Sequence, residues 1–160
     1  MKKLVTENLN EWFVEDPQVD GDGREEHASR KKGFYSNIEQ ETLNNNSFRK
    51  VLYTGENMQL VLMSLEPKEN IGLEVHDVDQ FFRFESGNGQ VIINNNTYDV
   101  KDGDSVIIPA SAKHDIINTG NSTLKLYTLY SPPQHLDGIE YQTKEEAENS
   151  NEEFDGEPTE

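Results

Sequence analysis

The sequence contains no cysteine among its 160 residues. That absence excludes a disulfide framework, a thiolate metal site and a cysteine nucleophile. It fits a reducing, cytoplasmic setting. No apolar run approaches the ~20 residues that a membrane-spanning helix requires. The opening Met1-Lys-Lys-Leu4 supplies two lysines with no apolar stretch behind them, so no signal peptide is expected. Positive charge is also scarce: 14 Lys and Arg stand against 31 Asp and Glu, for a net charge of −17. The isoelectric point is near 4.5. Phosphate backbones and anionic bilayers are held by basic faces, so neither nucleic acid nor membrane is expected as a partner.

Apolar residues make up only 32% of the chain, and the mean hydropathy is −0.84. The deficit is concentrated at the ends. Residues 1–26 carry eight acids and three bases, and residues 144–160 carry eight acids and one base. The span 27–143 carries fifteen acids and ten bases, an ordinary balance for a folded domain. Self-repelling acidic segments stay solvated. The expected organisation is therefore a flexible acidic extension over 1–32, a folded domain over 33–143 and an acidic tail over 144–160. Leu9, Trp12, Phe13 and Val14 offer an alternative, a short amphipathic turn that docks on the domain. His27 stands among charges and reads as solvated.

From Phe34 the pattern changes. Residues 37–43 read as a short helical or extended entry. Apolar, β-branched and aromatic runs at 48–54 and 58–65 read as strands, the second of them buried. Further strands are predicted at about 73–77, 80–86, 89–94, 97–100, 105–108, 114–118 and 123–130. Asn94-Asn-Asn96 is a hairpin turn, because asparagine tolerates positive φ. Asp102-Gly103-Asp104 is another turn. Pro132-Pro133 ends the last strand, and His135 beyond it reads as a loop residue. Thr143, with Glu146 three positions on, is a capping box for one or two helical turns. Short strands punctuated by turns predict an all-β sandwich or barrel.

Strand geometry then brings chemistry together. Side chains at i and i+2 share a face, so Glu74 and His76 point the same way. Gln80 rejoins that face if Asp77-Val-Asp79 turns the chain. His114 begins another strand, with Asn118 on its face. One carboxylate, two imidazoles and an amide oxygen are donors for a divalent metal ion such as Mn, Fe, Ni or Zn. Spacing alone leaves a second reading open, in which the histidines are unrelated and Glu74 faces solvent. If Gln80 points inward, so do Phe82 and Phe84, and Phe81, Arg83 and Glu85 face outward. Leu124, Leu126, Thr128 and Tyr130 share one face of the last strand. Tyr127 and Tyr130 are candidate proton-transfer groups, and Arg83 is a candidate for fixing an anionic substrate. Asp77, Asp79 and His135 are candidates for the barrel mouth.

These residues resemble the two-motif signature of the cupin superfamily, G-x5-H-x-H-x3,4-E-x6-G and G-x5-P-x-G-x2-H-x3-N. Gly103, Pro109, His114 and Asn118 fall in register with the second motif, and Ser111 stands where the family has glycine. Counting back from Gly87, Gln80 takes the place of the family's glutamate, His76 that of its second histidine and Glu74 that of its first. The match covers about residues 34–143. It implies a double-stranded β-helix, a jelly-roll-like barrel with short disordered ends. It also implies a metal held by Glu74, His76, Gln80 and His114. Moving the carboxylate and adding an amide favours harder ions, Mn, Fe or Mg. The Glu-x-His-x3-Gln variant resembles small single-domain cupins labelled mannose-6-phosphate isomerase-like. The expectations are a metal-binding barrel acting on a small oxygenated metabolite, as a sugar isomerase-like enzyme. The alternatives are a non-catalytic small-ligand or sugar-binding barrel, a metal-dependent dioxygenase, and a structural or partner-regulating protein. Small cupins commonly dimerise, so a homodimer is expected, with strand 48–54 as an exposed element available for swapping.

Overall fold

The structure is a computed structural model that describes residues 31–160, of which Gly33–Glu160 form one compact unit. His27 and the Trp12–Phe13 segment lie outside the described residues. The first element is a helix, α1 (Ile38–Asn44), capped by the Asn37 side chain, which accepts from the Gln40 N–H. Strands follow as β1 (Arg49–Thr54), β2 (Gln59–Leu65), β3 (Asp79–Ser86), β4 (Asn88–Ile93), β5 (Asn96–Lys101), β6 (Ser105–Ile108), β7 (His114–Asn118), β8 (Leu124–Ser131) and β9 (Glu140–Tyr141). A last helix, α2 (Lys144–Glu148), carries the full capping box of Thr143 and Glu146.

All the strand pairs are antiparallel, in two sheets. Six strands run in the order β6-β3-β8-β2-β1-β9, and three in the order β5-β4-β7. Alternation decides which faces meet. On β3 and β8, Gln80, Phe82 and Phe84 are buried, as are Leu124, Leu126, Thr128 and Tyr130. They meet Val61, Met63 and Leu65 of β2 and, from the smaller sheet, Val91, Val100 and Ile116 in one apolar core. Burial of these side chains is the main stabilising term. The β3–β4 turn requires glycine: Gly87 has φ of 90°, and a Cβ there would lie 2.7 Å from the Thr123 carbonyl oxygen. The β4–β5 hairpin turns at Asn94, with φ of 52°.

Three expectations change. Residues 73–77 do not form a strand of either sheet. They run beside β7 and join it by one bridge, Glu74 to His114, with both backbone bonds at 2.9 Å. The chain is held at that point because Asn70 Nδ2 and the Gly72 N–H both donate to the Asp115 carboxylate. Strand 48–54 is not an exposed element, since β2 and β9 pair on either side of it. The C-terminal residues 149–160 are not a freely solvated tail. The Phe154 N–H donates to the Gln134 carbonyl (3.1 Å), and Thr159 and Thr54 are paired through the Thr159 N–H and Oγ1 (2.8 Å each). Acidic composition predicted repulsion, but specific backbone partners outweigh it here.

Candidate metal centre

Glu74, His76 and His114 converge between the two sheets, each offering a ligand atom within 4.8 Å of the others. The group could hold a metal ion. His114 enters from the start of β7, and its reciprocal backbone bonds to Glu74 set the two side by side. His76 is fixed through its own carbonyl, which accepts the Ser111 N–H at 2.7 Å. Its Nε2 lies 3.0 Å from Glu74 Oε2.

The tautomer of His114 follows from its neighbours. Its Nδ1 is 2.9 Å from the Ala112 carbonyl oxygen, which can only accept. The proton is therefore on Nδ1, and Nε2 presents a lone pair. That Nε2 is buried and has no hydrogen-bond partner among the described residues. Gln80 shows the same pattern. Its Nε2 donates to Thr128 Oγ1 at 3.0 Å, while its Oε1 is buried without a partner. Two orphaned acceptors in one core are costly unless something binds them.

Burial pushes the Glu74 carboxyl up. Its bond to His76 and the charges of His76, Arg49 and His114 outweigh burial and hold it below the ordinary carboxylate value. Tyr130 is buried edge-on to His76, with ring centroids 5.9 Å apart. Burial, with the Glu74 charge adding, raises its phenol well above the usual range. Tyr130 is thus a fixed donor at neutral pH. Tyr127 and Arg83, its fellow candidates, pair in register on the opposite face of the sheet. There the Tyr127 ring packs tilted against Phe81, and Arg83 Nε sits 3.5 Å from Glu85. Neither reaches the centre. Asp79 accepts the Ala110 N–H, and Asp77 accepts the Ser111 hydroxyl. Both brace the loop that delivers His114.

Three further residues come near the centre: His135, read from the sequence as a loop residue or at the barrel mouth, and Glu152 and Arg49, which the sequence reading missed. His135 lies in a loop but is buried, with its ring 5.1 Å from that of Tyr130. Gln59 places it: Gln59 Oε1 accepts the N–H groups of Gln134 and His135, and Gln59 Nε2 donates to the His135 carbonyl. Its Nδ1 is 2.8 Å from Glu152, in the tail read as solvated. Burial lowers the His135 imidazole, against the pull of Glu152. Burial raises the Glu152 carboxyl, but the bond from His135, the Leu136 N–H and nearby charge bring it below its ordinary value. Arg49 is the third. It is buried at the start of β1, and its charge acts on Glu74, Tyr130, His135 and Glu152. Its signal was present in the alternation of 48–54, which puts Arg49 on the face of Val51. Glu152 had none, being one acid among many.

Comparison with known proteins bears on the fold and the family. A family model described as a cupin domain matches residues 61–130. YrkC of Bacillus subtilis is 45% identical over 72% of this chain, and the chain spans 66% of that relative's length. A protein of Acanthamoeba polyphaga mimivirus is 40% identical, the match covering 69% of this chain and 72% of that protein. The crystal structure of BH2720 from Bacillus halodurans superposes with a TM-score of 0.74 at 41% identity, covering 76% of this chain and 97% of that one. The chain belongs to the cupin superfamily.

Proposed function

We propose that this barrel binds one divalent metal ion through Glu74, His76, Gln80 and His114 and uses it on a small oxygenated metabolite. The observation that carries the reading is the pair of orphaned buried acceptors, His114 Nε2 and Gln80 Oε1, beside the Glu74–His76 pair. One carboxylate, two imidazoles and one carboxamide suit Mn, Fe, Ni or Zn, and the oxygen donors tilt the choice towards Mn or Fe. When bound, such an ion supplies Lewis acidity that polarises a carbonyl or hydroxyl oxygen. The chain's own residues do the rest. Ala112 orients His114 through Nδ1, and Thr128 turns the Gln80 amide so that its oxygen is free. Tyr130 holds a proton beside His76. Phe82 packs edge-on to His114, with centroids 6.5 Å apart, and excludes water from that side.

Isomerisation of a sugar-like hydroxycarbonyl compound comes first, ahead of dioxygenation, because it needs only a polarised oxygen and a moved proton and no O2 as co-substrate. Binding without turnover is the second reading. Its support is that Tyr127 and Arg83 face away and the Tyr130 phenol is held protonated, so the centre lacks a ready base among those candidates. The test is turnover of sugars and 1,2-dicarbonyls by protein loaded with Mn, Fe or Ni. Metal-dependent product supports the first reading. A tight ligand without turnover supports the second. A homodimer in the cytoplasm completes the proposal, with β6 as the free edge of the larger sheet; sedimentation at equilibrium reads one chain mass or two.

A further inference from the structure

Arg49 is 9% exposed, and its Nε is buried without a hydrogen-bond partner. Among the described residues no carboxylate lies within ion-pair distance of it; its ring contact is with the neighbouring Phe48, at 5.8 Å. A buried guanidinium nitrogen without a hydrogen-bond partner is costly. Arg49 alternates inward with Val51 on β1, and its charge acts on groups of four different segments: Glu74, Tyr130, His135 and Glu152. It therefore faces the same interior as the candidate metal centre, entering it beside Met63 of β2.

We infer that Arg49 is the anion-binding group of this site, and that the small molecule bound beside the metal carries a carboxylate. The inference rests on the metal reading above. Charge supports it. Glu74, Glu152 and Arg49 together leave the interior at minus one with the histidines neutral. A divalent ion turns this into plus one, the complement of a monoanion. A planar guanidinium edge presents two parallel donors that match a carboxylate or a phosphate, and the single residual positive charge favours the monoanionic carboxylate. A ligand with a carboxylate on Arg49 and a hydroxyl or carbonyl towards Glu74, His76 and His114 satisfies the orphaned Nε and the orphaned acceptors' ion at once. His135 Nε2, also buried without a partner, then faces a ligand hydroxyl rather than a void.

The test uses the full chain, glycolate as probe and ethylene glycol as its neutral counterpart. Manganese is titrated first into the parent, Arg49→Ala and Arg49→Lys, and glycolate then into each loaded protein. The expected result is manganese affinity within about threefold across the three proteins. Glycolate should bind the parent at least tenfold more tightly than ethylene glycol. Arg49→Ala should lose at least tenfold in glycolate affinity, with Arg49→Lys intermediate. Equal glycolate affinity in the parent and Arg49→Ala overturns the inference, as does a parent that does not distinguish the two probes. If the parent takes up no manganese, the metal reading fails by itself. Glycolate titrated into the metal-free chain then decides Arg49, where Arg49-dependent binding supports the inference and its absence overturns it. Circular dichroism checks folding. Should Arg49→Ala unfold, Arg49→Lys carries the comparison: at least a threefold loss of glycolate supports a two-donor contact, and no loss overturns it.

Discussion

Two acceptor atoms, His114 Nε2 and Gln80 Oε1, define the chemistry of this barrel because each is turned inward by a bond on its far side. They are not equivalent. His114 is the candidate ligand that the smaller sheet supplies, and a neutral amide oxygen is more readily replaced by water. Gln80→Ala is therefore expected to weaken manganese binding while leaving it measurable by calorimetry. A second prediction concerns Ser111, which replaces the family glycine and takes φ of 68°. A side chain in the left-handed region costs about 1–2 kcal/mol. The Ser111 hydroxyl bond to Asp77 at 3.3 Å returns part of this, and glycine adds freedom to the unfolded chain. Ser111→Gly should stabilise by about 0.5–1 kcal/mol, seen as a rise in Tm of about 2–4 °C. An unchanged or lowered Tm would show that the Asp77 contact outweighs the strain.

At the scale of elements, the C-terminal residues behave as a strap rather than a tail. Glu152 accepts from His135 and from the Leu136 N–H, and Thr159 pairs with Thr54. Ending the chain at Asn149 leaves those buried groups unpaired, which should cost about 2–4 kcal/mol and lower Tm by more than 5 °C. An unaltered Tm would return the segment to the solvated class. The same contacts make stability depend on pH. His135 has a folded pKa below the unfolded value of about 6.5. Between the two values the unfolded chain binds the extra proton, so stability falls as pH drops through that range. Glu152 is also depressed. Its contribution is present above the unfolded carboxylate value and is lost as pH falls through the folded one. Melting of the metal-free protein from pH 8 to pH 4 should show both losses, and the chain ended at Asn149 should lack the Glu152 loss. Most elements were legible from the sequence, because turn residues and period-two alternation are local signals. The strap was not. Its partners sit in sequence more than fifteen residues away, at His135, and about a hundred away, at Thr54, and composition does not encode them. The 73–77 segment was misread for a related reason: Leu73 and Val75 look like strand residues, but they are exposed, and a single bridge holds the segment in place.

For the molecule as a whole, the candidate centre is where the two sheets meet. Gln80 comes from the six-stranded sheet, His114 from the three-stranded one, and Glu74 with His76 from the segment that bridges to β7. The convergence of Glu74, His76 and His114 was legible as motif spacing, although Glu74 and His76 lie outside both sheets and are set by a single bridge rather than by a strand face. The role of Arg49 was not legible, since it depends on what its buried Nε fails to contact, and His135 was legible only as a loop or mouth residue because its partner Glu152 is one acid among many. An ion that binds only the folded barrel stabilises it by about 2.7 kcal/mol at a hundredfold excess over Kd. Tm should then rise by about 5–10 °C with manganese. Because imidazole must be neutral to ligate, manganese affinity should fall as pH drops. The measurement that reaches the central claim most directly is isothermal titration of manganese into the parent and His114→Ala, with circular dichroism on both. The account predicts one ion per chain in the parent, none at stoichiometric level in His114→Ala, and the same β-rich spectrum. Equal manganese affinity in the two proteins would contradict it and make the polar centre a hydrogen-bonded cluster in a ligand-binding barrel.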